Sequence, residues 1–436
     1  MSSRVFATRL RGDGTETMLV EDLPLAGVSF TRNLSGTSTI SGSITPEIEG
    51  LKAPDGQPLL QAWSTALYIE QDGQIRAGGI VQPESMGDGP TLRVEAAGFA
   101  AYPYGMPYDG ERYFIQVDSL DIFRHIWDHL QSQPGGDLGL RIDPDRSGVL
   151  VGEELEEVAF ETGGGEEVMF EAGPFKLAWY LADDLGDRLE ELVDLGGFEF
   201  TEEHAWAPGE DRIEHRLRLG VPRLGRRRHD IHFVAGDNLV RDPAFSVGTY
   251  ASEVWAMGAG EGRTVRHARA GRSGESRLRR VNVVSDKALT SNRRAAEMAA
   301  LMLDLSTGEP EVDSVTIRGG NPDEIPDLGD EVLLRTSGIG WHRSTDLWVR
   351  VRSVTQSLDS SWVTCEVEKV SGETSGGVAP PPESSFFFTA AWSAGGTLTL
   401  VASSGFARDG GALRISSPPV PALLGAGGAL TLTEVG

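Results

Sequence analysis

The stretch Leu25–Ile48, LAGVSFTRNLSGTSTISGSITPEI, alternates with a two-residue period. Val28, Phe30, Arg32 and Leu34 fall on one face, and Ser29, Thr31 and Asn33 on the other. After Ser35-Gly36 the pattern resumes, with Ile40, Gly42 and Ile44 against Thr39, Ser41, Ser43 and Thr45. Successive side chains of a strand point to opposite faces, so this reads as antiparallel, half-buried β-structure. The Ser/Thr face is too polar for a core and too uniform for an active site. It suits a surface laid against another surface or along a wet channel.

Working outward, strands Arg4–Leu10 and Glu16–Val20 flank the turn Gly12-Asp13-Gly14, and Thr65–Glu70 and Gln74–Val81 flank Gln71-Asp72-Gly73. With Thr91–Ala97 these make residues 1–100 a β-domain, expected as a small closed or split barrel. Residues 101–222 read as a mixed insertion. Asp118 caps a helix whose apolar stripe is Leu120, Phe123, Trp127 and Leu130, and a second helix is expected from Pro174 to Gly196-Gly197. Residues 223–370 carry arginine clusters, a helix at Ser291–Leu305 and a second β-region, Val312–Arg318, Glu331–Arg335, Leu347–Val354 and Trp362–Val370. Residues 371–385, SGETSGGVAPPPESS, have linker composition, and 386–436 read as a Gly-rich β module with strands at Thr397–Ala402, Ala412–Ser416 and Ala429–Thr433. The expected fold class is mainly β with an α+β insertion. It is multidomain, with two small tube-like β-barrel domains, a mixed insertion and a C-terminal β module.

The 436 residues exceed what a single core fills. The formal net charge of −26 argues against gripping nucleic acid and suits a surface past which DNA slides. The single cysteine, Cys365, excludes an internal disulfide framework. The N-terminus lacks an apolar signal region, and no apolar run is long enough for a membrane helix. Synthesis in a cytoplasm is the expectation.

Several motifs have both a chemical and a plainer reading. Asp143–Glu154 places acids at positions 1, 3 and 12 and Gly148 at position 6 of a calcium-loop pattern. A strand rather than a helix precedes it, and Val151 stands at position 9, so a polar turn is the preferred reading. His125 and His129 have zinc-ligand spacing but no third ligand. Gly258–Gly262 reads as a bend, since no helix is expected to open there for a dinucleotide phosphate. Arg263, Arg266, Arg269, Arg272, Arg277, Arg279 and Arg280 read as ion-pairing partners, within the chain or across subunits, more readily than as a DNA grip. Between 153 and 211 acids dominate, with Lys176 and Arg188 the only Lys or Arg. Cys365 reads as packed. No catalytic, cofactor-binding or metal residues are assigned, and no enzyme activity is expected.

The pattern LPLAGVSFTRNLSGTSTISGSITPE, the order of elements and the late segment PDLGDEVLL…LWVRVRSVTQSLDSSWVTCEVE resemble minor tail proteins of actinobacteriophages, within the siphophage tail-tip hub family, similar also to the baseplate hub of contractile phages. The resemblance covers about residues 1–370. It implies a homotrimer at the virion tail tip, whose paired β-domains form a pseudo-sixfold collar. The collar would join the tail tube or distal tail protein to tip or fibre proteins, around the tape measure protein, with DNA present only in passage. A host-surface carbohydrate-binding tail protein, with the aromatic loop Tyr102–Tyr108 stacking on sugars, is the alternative; a cell-wall hydrolase is a third.

Overall fold

The structure is a computed structural model. It describes residues 3–45, 52–53, 56–83, 91–152, 156–161, 167–172, 174–209, 212–241, 243, 245–260, 262–272, 277–286, 289, 291–308, 310–319, 325–336, 346–370, 388–392, 398–402 and 430–433. The chain divides into two compact units, 1–372 and 373–436. It is mainly β, with three α-helices among the described residues.

The first strands are β1 (Ser3–Leu10), β2 (Glu16–Val20), β3 (Ala26–Asn33), β4 (Thr39–Ile44), β5 (Thr65–Gln71), β6 (Gln74–Val81) and β7 (Leu92–Ala97). Residues buried without interruption in β1 and β5 show that both faces of this sheet are covered. Val5, Ala7, Leu67 and Ile69 turn to a core shared with Val28, Phe30 and Ile40. Phe6, Tyr68 and Ile80 turn to a second core shared with the insertion.

The insertion contains β8 (Glu111–Phe114), β9 (Val117–Asp118), α1 (Ser119–Ser132), β10 (Leu140–Ile142), β11 (Leu150–Val151), β12 (Glu156–Glu161), β13 (Glu167–Ala172), β14 (Phe175–Ala178), α2 (Leu185–Gly196), β15 (Glu199–Trp206) and β16 (Ile213–Gly220). Asp118 caps α1 by accepting from the Leu120 N–H, as its position before the apolar stripe requires. The second helix is shorter than the sequence suggests. Phe175–Ala178 pairs with Glu111–Phe114 as a strand, and α2 begins only where Asp184 accepts from the Gly186 N–H. A leucine stripe outside a cap and beside a pairing partner is claimed by the sheet.

The remainder of the first unit contains β17 (Arg227–Val234), β18 (Phe245–Val247), β19 (Glu253–Met257), β20 (His267–Gly271), β21 (Val281–Ser285), α3 (Asn292–Leu305), β22 (Pro310–Val312), β23 (Ser314–Arg318), β24 (Glu331–Arg335), β25 (Asp346–Ser357) and β26 (Trp362–Lys369). Ser291 caps α3, accepting from the Arg294 N–H. Its Ala295, Ala299 and Leu303 pack on Val254 and Ala256 of β19.

The two β-regions form one sheet. Its order is β17-β24-β25-β3-β4-β7-β6-β5-β1-β2, with β26 also on β25 and β23 on β26. Only β17–β24 is parallel among these pairs. Neither region closes into a barrel of its own along this path; the join is β3 on β25, Ser29–Asn33 against Ser353–Ser357. Closure fails because the edge hydrogen bonds of β3 are taken by a strand more than 300 residues away in sequence. Alternation in β25 also breaks at Arg352, where a register shift between Val351 and Ser353 lets Val351 and Val354, an odd number of residues apart, join one core.

The second unit contains β27 (Phe388–Trp392), β28 (Leu398–Ala402) and β29 (Leu430–Thr433), with β27–β28 antiparallel and β28–β29 parallel. Ala412–Ser416 lies outside the described residues.

Candidate functional site

The face of β3 and β4 that carries Ser29, Thr31, Thr39 and Ser41 continues across the join. Thr316, Thr364, Thr355, Thr31 and Thr39 are cross-strand neighbours in one row over β23, β26, β25, β3 and β4. The Thr31 and Thr355 hydroxyls lie 2.8 Å apart and those of Thr316 and Thr364 3.4 Å apart. A second row, Ser357, Ser29, Ser41 and Glu95, runs beside it. Thr39 is exposed and the other four threonines are half-buried. The opposite faces of these strands carry Phe30, Ile40, Val354 and Cys365, all buried. β-Branched threonines fit a pleated surface, and hydroxyls both donate and accept, so the row is hydrated without net charge.

Three polar junctions hold this sheet to the insertion. In the first, the Arg350 guanidinium donates to both Glu199 oxygens (2.7 Å to Oε1), to Glu368 at 3.3 Å, and to the Gly329 and Leu224 carbonyls at 3.1 and 3.0 Å. All five of its N–H groups are used. Burial pushes this group towards its neutral form, and Glu199 more than reverses that, so it titrates above its ordinary value. In the second, Asp327 accepts from Arg32 of β3 at 3.3 Å and Arg218 of β16 at 3.1 Å. Burial pushes its carboxyl up, but Arg32, the Leu328 N–H and Arg218 prevail and hold it below the usual range.

The third junction is a buried chain of ionisable groups. Glu16 of β2 accepts from Thr8 at 2.7 Å and from the Tyr68 hydroxyl at 2.9 and 3.0 Å. His215 Nε2 faces Glu16 Oε1 at 2.5 Å, and His215 Nδ1 faces His204 Nδ1 at 2.9 Å. Because Glu16 already accepts, His215 donates to it. Burial lowers His215 below its ordinary value against the pull of Glu16. Burial raises Glu16, but the bond from His215 prevails and its carboxyl titrates low. Phe99 stacks on His215 with ring centroids 4.5 Å apart. None of these three junctions was legible beforehand, because each joins residues from strands distant in sequence.

The motifs singled out in the sequence have structural partners. Asp143 gives one oxygen to Arg216 Nε at 2.5 Å and the other to the Leu219 N–H at 3.2 Å. Gly148 and Ser147 donate to Asp118, so this part of the loop wraps the α1 cap. Glu153 and Glu154 lie outside the described residues. His125 meets the Tyr108 hydroxyl at 2.9 Å, and His129 meets Asp109 at 2.8 Å. The aromatic loop is therefore a latch between helices: the Gly105 N–H donates to Asp184 at 2.7 Å, and Tyr104 donates to Glu190. Tyr108 is buried and Tyr102 half-buried, while Tyr104 is 37% exposed with its hydroxyl on Glu190. Gly258–Gly260 lie in the bend between β19 and β20, and a short 3-10 turn follows at Gly262–Thr264. Cys365 is fully buried, which pushes its thiol up to about 12.

Several cluster arginines serve the same unit. Arg272 donates to the Leu303 and Ser306 carbonyls at the C-terminal end of α3, where its charge meets the negative end of the helix dipole. Arg279 donates to Glu253 at 2.8 Å, and Arg269 lies 3.9 Å over the Trp255 ring. Arg263's side chain and Glu275 lie outside the described residues. No helix among the described residues is long and apolar enough to cross a membrane.

No protein-family model matches the chain, and no curated protein sequence matches it. Among solved structures, the chain is similar to the 43 kDa tail protein of prophage MuSo2 from Shewanella oneidensis, with 14% identity, TM-score 0.50, and 84% of this chain and 98% of that one covered. The tail protein from Neisseria meningitidis MC58 gives 13% identity, TM-score 0.48 and coverage of 85% and 97%. The prophage tail protein gp18 from Listeria monocytogenes EGD-e gives 13%, 0.47, 84% and 95%. The likeness to the Shewanella protein shows that this chain shares the fold of a phage tail protein.

Proposed function

We propose that this chain is a structural, non-enzymatic protein of a phage virion, a homotrimeric hub at the tail tip. It joins the tail tube or distal tail protein to tip or fibre proteins, encircles the end of the tape measure protein and lines the channel through which DNA leaves. The observation that supports this reading is the five-threonine row, which runs unbroken from one β-region to the other on a sheet with a tail-protein fold. A neutral hydroxyl surface hydrates DNA without gripping it, because binding DNA tightly requires cations that displace its counterions. The net charge of −26 adds repulsion at longer range. Light scattering during gel filtration tests the reading: the expected mass is three times the 46.8 kDa chain, and negative-stain images show rings with a central hole. A stable monomer at micromolar concentration, with no rings, overturns it.

A further inference from the structure

Two surface patches on this chain are unlike the rest of it and complement each other. The first lies on the insertion, where β14 runs into the α2 cap. Trp179 (64% exposed), Tyr180, Leu181 and Tyr113 are all exposed there. The Trp179 and Tyr180 rings stand perpendicular at 5.7 Å, and the Tyr113 and Tyr180 hydroxyls lie 2.8 Å apart, so the rings hold one another in place. The rim is acidic on balance: Tyr113 donates to Glu111 at 2.6 Å, Asp109 is exposed beside it and Asp183 and Asp184 follow the aromatic turn, against Lys176 across from Tyr113 and exposed Arg112.

The second patch is the face of the β20-β19-β21 sheet opposite α3. This small unit is built inside out. Its core is largely alanine (Ala251, Ala256, Ala295 and Ala299, with Val254, Leu289 and Leu303). Larger apolar side chains stand outside: on this face Val283 is 56% exposed, Val281 36%, and Trp255 is half-buried under Arg269, and Leu278, just before β21, is 87% exposed. Exposed Arg269, Arg279 and Arg280 lie on or beside this face, Arg279 paired to Glu253, and they outnumber that acid on a strongly acidic chain; Arg277 turns instead to the Thr307 carbonyl and the Tyr250 ring.

We infer that the aromatic–acidic patch of one copy docks on the apolar–basic face of β20-β19-β21 of the next copy. Charge complementarity between the rims selects a second copy as the occupant. Aromatic anchors with arginine neighbours form the tight centres of interfaces, and opposite rims steer and orient the pair. DNA is disfavoured at the basic face, because exposed apolar Val281 and Val283 have no role against phosphates. Since the two patches differ, the contact is heterologous, and such contacts close into rings when the rotation allows. The inference rests on the hub reading and assigns its subunit contact.

The test uses full-length Trp179→Arg and Val283→Glu chains, with Leu278→Glu as a second variant beside the sheet face. All three side chains are exposed, and circular-dichroism melts check that each variant folds. Wild-type chain is expected at three chain masses and each variant at one. An equimolar mixture of Trp179→Arg and Val283→Glu is expected at two chain masses, because one intact patch remains on each. Variants that keep the wild-type ring mass overturn the inference and leave the hub reading standing. Monomeric variants whose mixture does not pair overturn the heterologous contact. A monomeric wild-type chain overturns both readings. Retention of duplex DNA by wild-type chain, lost in Arg279→Glu, reassigns the basic face to nucleic acid.

Discussion

Replacing Arg350 by methionine removes a buried cation that joins the insertion to the sheet. Its side chain is 3% exposed, and its five N–H groups serve Glu199, Glu368 and the carbonyls of Gly329 and Leu224. In Arg350→Met, Glu199 keeps the Leu224 N–H at 2.9 Å but loses its counter-ion while 12% exposed. Removing one partner of a buried ion pair costs about 3–5 kcal/mol, because the remaining charge stays desolvated. For a unit of this size that is a fall in Tm of about 5 °C. The partner substitution Glu199→Gln keeps an acceptor for Leu224 but no charge. Arg350→Met/Glu199→Gln should therefore recover about 2 kcal/mol or more of the loss. Urea unfolding followed by tryptophan fluorescence, with thermal melts alongside, measures both numbers. A single-variant loss below about 1 kcal/mol, or a double variant no better than the single, refutes the claim that this pair fixes the insertion to the sheet.

Stability should fall on acidification, most steeply below pH 6.5. His215 and Glu16 both titrate lower folded than their ordinary values of 6.5 and 4.5, so their contributions are present above those values and disappear as pH falls through the folded ones. Glu16→Gln should flatten the acid limb of a stability–pH curve, and an unchanged limb counts against the buried chain. Gly225→Ala should destabilise by about 2 kcal/mol or more, since φ is +81° and a Cβ would lie 2.1 Å from the Gly329 backbone carbon; denaturant melts check it. Cys365 should resist iodoacetamide until the chain is unfolded, and rapid alkylation of folded protein would contradict its burial. Calcium should leave Tm unchanged, because both Asp143 oxygens are already held by Arg216 and Leu219; a shift of several degrees would contradict that geometry.

Local pattern made much of this fold legible. Glu16–Val20, Gln74–Val81 and Glu331–Arg335 have the bounds their alternation and flanking turns imply, and Asp118 and Ser291 cap the helices that their apolar stripes announce. These signals work because strand period, turn chemistry and capping act over a few residues. Apolar spacing alone extends the second helix back to Pro174, because it cannot show that Phe175–Ala178 has a strand partner in Glu111–Phe114. The Ser/Thr face of Leu25–Ile48 was visible as a surface unsuited to a core, yet its place beside Thr355, Thr364 and Thr316 was not. The sequence by itself determined which side chains each strand sends to either face, and that the chain is mainly β and acidic. Only the tertiary structure decided that the two β-regions make one sheet, that Arg350, Asp327 and Glu16 lock the insertion to it, and that two unlike patches remain uncovered. Strand pairing and buried charge depend on contacts between residues far apart in the chain, and no local period encodes them.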